Sequence, residues 1–100
     1  MTCCGGLSKL KLPTDDSKLV LTNIISDIQA LHESLNDLNL EYLVENHEFS
    51  TQVVAGLNYV FVFTHNNTNY KVTTWAKLDK TYQSRLTEMN PSVSQMEEVD

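Results

Sequence analysis

The order of hydrophobic periods along this chain predicts an α+β fold, with one long N-terminal helix laid across an antiparallel sheet of four or five strands. Three observations carry that expectation. Six aliphatic residues between Leu21 and Leu38 recur at helical spacing. From Phe49 onward the apolar period shortens to two, in successive runs separated by polar turns. The chain is 100 residues long, enough for one core and too few for two, so residues 1–100 are read as a single domain.

The elements follow in order. Residues 1–13 show no period and contain Gly5-Gly6 and Pro13, which reads as a flexible arm. Thr14 can cap a helix whose first turn holds Asp15 and Asp16, where the macrodipole favours negative charge. Leu21, Ile24, Ile28, Leu31, Leu35 and Leu38 then form one stripe, predicting a helix over 15–38 that stops among the poor formers Asn36, Asp37 and Asn39. A coiled coil shares this spacing, but nothing continues the heptads, and strand-patterned sequence follows.

Tyr42 and Val44 are read as opening an extended segment, with a bend or bulge at Glu45-Asn46-His47. Phe49, Thr51 and Val53 alternate with polar residues. Tyr59, Phe61 and Phe63 alternate with Val60 and Val62, so both faces are apolar and the strand is placed centrally. His65–Asn69 is a turn by composition. Tyr70, Val72, Thr74 and Ala76 make the next strand, with Thr73 and Trp75 on its other face and Trp75 read as sheet packing. After a break at Leu78–Thr81, Tyr82–Glu88 reads as an edge strand, and residues 91–100 as an acidic tail.

Composition excludes several function classes. A formal charge of −6 suits neither nucleic acid nor an anionic membrane surface. No apolar run is long enough to span a bilayer, and the N-terminus lacks the basic region and apolar stretch of a secretory signal. Cys3 and Cys4 are adjacent and are not expected to bridge each other, which together with the missing signal points to the cytosol. The Asn66-Asn67-Thr68 acceptor would then stand idle. His32, His47 and His65 have neither metal-ligand nor triad spacing and are read as solvated or locally bonded. No nucleophile, base and oxyanion donor converge, so neither enzyme activity nor a cofactor is expected.

One stretch resists the ordinary reading. Gln52-Val53-Val54-Ala55-Gly56 falls where a hairpin turn belongs, yet it holds two β-branched residues in place of Asn-Gly or Asp-Gly. An apolar bend with a glycine that permits close backbone approach suggests a surface for pressing against a partner. The segment resembles the Gln-x-Val-x-Gly signature of the cystatins, inhibitors of papain-like cysteine proteases. The absence of a signal and of a disulfide pair, the upstream Gly5-Gly6-Leu7-Ser8 and the continuation Gly56-Leu57-Asn58-Tyr59 are similar to the intracellular branch, the stefins. The resemblance covers roughly residues 4–90.

The resemblance implies reversible, competitive occlusion of a cathepsin-type protease cleft by a monomer, through a wedge of arm and two hairpins. Cys4, Gly5 and Gly6 would lie along the non-primed subsites, Gln52, Val53, Val54, Ala55 and Gly56 at the centre, and Leu78 and Asp79 on the primed side. The second hairpin departs from the family pattern, since Asp79 follows Leu78 where stefins carry Leu-Pro. The alternative is a cystatin-fold binding or self-associating module without inhibitory activity. If Gln52–Gly56 straightened, the flanking strands would fuse, and a domain-swapped dimer lacking the central wedge would form.

Overall fold

A computed structural model describes residues 9–91. Its first helix, α1 (Asp15–Gln29), begins at a reciprocal capping box. The Thr14 hydroxyl accepts from the Ser17 amide at 3.2 Å, and the Ser17 hydroxyl accepts from the Thr14 amide at 2.9 Å, so two otherwise orphaned donors are satisfied. Leu21, Ile24 and Ile28 from its stripe are fully buried.

The helix is shorter than its periodicity predicts. It stops at Gln29, and the residues expected to complete it to 38 instead form a turn and one 3-10 turn, Glu33–Leu35. His32 redirects the chain: in an extended conformation, its Nδ1 accepts from the Ser34 amide at 3.0 Å, a local bond that competes with helix continuation. Gln29 then donates to the Leu38 carbonyl at 2.9 Å and ties the loop back. Leu35 and Leu38 remain in the core despite this change of path. The spacing predicts the helix as far as Gln29 and the burial of Leu35 and Leu38, but not the path of the backbone between them.

A second correction follows at once. Leu40–Glu45 is a short helix, α2, where an extended segment opening at Tyr42 and Val44 was expected. Asn39 caps it by accepting from the Tyr42 amide at 3.0 Å, and Leu43 is its buried anchor.

The sheet comprises β1 (Glu48–Val54), β2 (Gly56–His65), β3 (Thr68–Lys77) and β4 (Tyr82–Pro91), all antiparallel and in the order β1-β2-β3-β4. This is the α+β arrangement of one helix on a four-stranded sheet that the periodicities predict, with β2 central and β4 at an edge. Asn66 and Asn67 alone turn β2 into β3, both at positive φ (51° and 64°), as a two-residue hairpin requires. The turn is thus narrower than residues 65–69. The edge strand is longer than expected and takes in Pro91, with a bulge that leaves Thr87 opposite no partner residue on β3. The arm is not wholly free of the sheet, because Lys11 exchanges both backbone bonds with Phe49, at 2.7 and 3.1 Å.

Alternation assigns the faces. Phe49, Tyr59, Phe61, Phe63, Tyr70 and Val72 meet the helices and form the core, each side chain contributing roughly 1.5–3 kcal/mol of burial. Tyr59 stacks on Phe61 with centroids 5.6 Å apart, and Phe63 on Tyr70 at 5.5 Å. The opposite, outer face carries Asn58, Thr73, Trp75, Gln83 and Arg85.

Candidate functional site at the hairpin tip

The two valines do not make the bend. Gln52, Val53 and Val54 are the last residues of β1, Gly56 is the first of β2, and Ala55 alone lies between the paired residues Val54 and Gly56. Extended backbone is what a β-branched side chain favours, so the apparent misfit in the sequence disappears. The bend falls on Ala55 and on Gly56, whose φ is +109°. A Cβ at Gly56 would run into the carbonyl oxygen of Ala76, so this glycine is what lets β2 start beside β3 immediately after the bend.

Because strand side chains alternate, Val53 projects on the helix face and Val54 on the outer face, giving the tip apolar flanks on both sides. Val53 is 74% exposed and Val54 40%. Gln52 is half-buried and engaged in interactions of its own. The β3–β4 connection lies at the same end of the sheet, since Gly56 pairs with Lys77. There Leu78 is 78% exposed. Asp79 closes the turn by accepting from the Thr81 hydroxyl at 2.6 Å and the Thr81 amide at 3.1 Å, which holds its carboxyl below the ordinary carboxylate range. The bridge at Phe49 is antiparallel, so the described stretch Lys9–Lys11 arrives from this same end. The structure therefore brings Gln52–Gly56, Leu78 and Asp79 to one end, while Cys4, Gly5 and Gly6 lie outside the described residues.

Two residues make contacts that the local sequence pattern does not reveal. Trp75, read as sheet packing, stands partly exposed on the outer face, and its indole N–H donates to the Ala55 carbonyl at 2.9 Å. Lys77 sits over its ring at 5.0 Å from the centroid, a cation–π contact. The tip is thus pinned across two strands. Trp75→Phe keeps an aromatic ring and removes this bond, whose net worth is about 1 kcal/mol. Amide hydrogen exchange at Gly56 and Leu57 is expected to accelerate roughly fivefold. Unchanged exchange at those amides would show that the pin does not hold the tip. The second residue is His47, whose ring is buried between α1 and β2, away from the tip. A lone histidine between polar neighbours carries no sequence signal for burial.

No known family model, curated protein or solved structure matches this chain. Among the described residues, no helix is long and apolar enough to cross a membrane.

Proposed function

We propose that this chain is a stefin-like, reversible, competitive inhibitor of papain-like cysteine proteases, acting in the cytosol as a monomer. The supporting observation is the exposed, two-faced apolar tip Val53–Ala55, fixed on a paired sheet beside Leu78. A tip of this kind can fill a cleft without presenting a scissile bond, so occlusion is by shape and burial alone. Its rigidity favours tight binding, since little conformational freedom is lost on association. The register of Lys11 also suits the leading arm, because the chain reaches β1 from the tip end.

Papain titrated with the purified protein is expected to show competitive inhibition, weakened by removal of residues 1–5. Val53→Asp should weaken it about 100-fold, the effect of losing a central apolar anchor worth roughly 2–3 kcal/mol. Val53 is solvent-exposed, so this variant should keep the parent's thermal midpoint. A substitution at Gly56 would confuse contact with folding and is the poorer test. If micromolar protein leaves papain untouched, the inhibitor reading fails and the non-inhibitory binding module takes its place.

A further inference from the structure

Behind the tip, on the sheet face that the helices leave uncovered, lies a groove of about 380 Å³. Its volume falls within the range of small-molecule sites. The Trp75 indole and the Val54 side chain supply apolar walls, and Asn58, Thr73, Gln83 and Arg85 supply the polar ones. The side chains of Asn58, Gln83 and Arg85 make no hydrogen bond or ion pair with any other described residue. Among the described residues, Arg85 is the only charged one lining the groove.

We propose that this groove binds a small apolar carboxylate, such as an aryl or short alkyl acid. The guanidinium offers a planar pair of donors that matches a carboxylate, and the two amides can take up its remaining lone pairs. The body of the acid lies against Val54 and the face of the indole, a hydrophobic contact that also shields the ion pair from water. A guanidinium beside apolar walls, with the nearby Lys77 ammonium already engaged over the Trp75 ring, suits a single carboxylate better than a phosphate, which recruits clustered cations and backbone amides. Cations are disfavoured, because no carboxylate among the described residues lines the groove. In a chain of formal charge −6, this local positive site selects the anion against the overall field. Two tip residues, Val54 and Ala55, belong to the same groove, so a bound acid rests against the back of the tip.

The chain's only tryptophan lines the site, so its emission, excited where the four tyrosines do not absorb, reports occupancy directly. The full chain is titrated with phenylacetate and with its neutral counterpart 2-phenylethanol at constant ionic strength. Saturable change with phenylacetate is expected, at about tenfold higher affinity than with the alcohol, as a charge-assisted pair provides. Arg85→Gln should abolish that preference and leave the thermal midpoint unchanged, since Arg85 is exposed. Equal responses to acid and alcohol, no response to either, or a preference that survives Arg85→Gln would each overturn the assignment. A full-length variant with Glu97→Gln, Glu98→Gln and Asp100→Asn tests the other occupant. If phenylacetate binds only in that variant, the groove belongs to the chain's own acidic tail and the assignment also fails. None of these readouts involves a protease, so the outcome is independent of the inhibitor reading.

Discussion

Gly56→Ala is expected to destabilise the fold by roughly 2–5 kcal/mol. Two costs combine. A side chain at a φ of +109° adopts a backbone conformation that L-residues rarely enter, at about 1–2 kcal/mol. The added Cβ also collides with the Ala76 carbonyl, a backbone atom held in the β2–β3 ladder, and such overpacking costs about 1–3 kcal/mol. The neighbour cannot yield as a flexible side chain would. Relief requires separating Gly56 from Lys77 or reopening the Val54–Gly56 pair, and either movement shifts the tip. Against a typical domain stability of about 5–15 kcal/mol, the urea midpoint should fall by a large fraction of its value. A Gly56→Ala protein with the parent's midpoint would mean that the bend is not built as described.

This glycine also shows how the tip was and was not legible. The composition of Gln52–Gly56 marks the stretch where β1 gives way to β2, since a glycine closes a run of stiff apolar residues there. The expectation that Val53 and Val54 form the bend itself is the part that fails, since both are paired residues of β1. Register decides whether Val53 and Val54 belong to a bend or a strand: they pair with Leu57 and Gly56 just past the bend, and Gly56 is held in turn by Lys77, far along the chain on β3. A linear reading holds no such information.

The same distinction explains the rest of the fold. Strands β2 and β3 were readable because alternation and burial coincide there, with Tyr59, Phe61, Phe63, Tyr70 and Val72 all in the core. The start of α1 was readable because capping is local, confined to Thr14, Ser17 and the intervening aspartates. Its end was not, since Leu31, Leu35 and Leu38 keep a helical period while the backbone leaves the helix. A hydrophobic stripe records which side chains must be buried, and a turn followed by a 3-10 segment can satisfy the same demand. Helix α2 leaves no such signal, because six residues cannot display a helical period, and its cap, Asn39, reads equally well as the end of α1. Trp75 was placed on the correct face, but its bond to Ala55 crosses between strands and leaves no trace in the local pattern.

His47 supplies a pH dependence that local spacing also concealed. Its ring is 3% exposed, with Nδ1 donating to the Leu43 carbonyl at 2.9 Å and Nε2 accepting from the Ser17 hydroxyl at 3.0 Å in the neutral form. The end of α2 is thereby tied to the capping box of α1, with Phe61 edge-on at 5.7 Å. Burial is the main reason that the imidazole is held below its ordinary pKa. The Leu43 carbonyl opposes the shift, the Lys18 charge reinforces it, and Glu45, paired with Lys18 at 3.3 Å, partly offsets it.

Above the ordinary imidazole value of about 6.5, both folded and unfolded chains carry a neutral ring and this linkage costs nothing. As the pH falls below it, the unfolded chain binds a proton that the folded chain refuses. Stability therefore declines until the folded pKa is passed, by at most about 1.4 kcal/mol per pH unit for one proton. Asp37, lowered chiefly by its bond to His65, and Asp79, lowered by Thr81, lose their contributions only below the ordinary carboxylate value of 3.8, in a separate window. His47→Gln retains a donor and an acceptor but does not titrate. It should be about 1–3 kcal/mol less stable at neutral pH through imperfect geometry. Its urea midpoint should then stay nearly level from about pH 7.5 to 5 while that of the parent falls. Parallel curves for the two proteins across that range would show that the buried imidazole is not the group that senses acid.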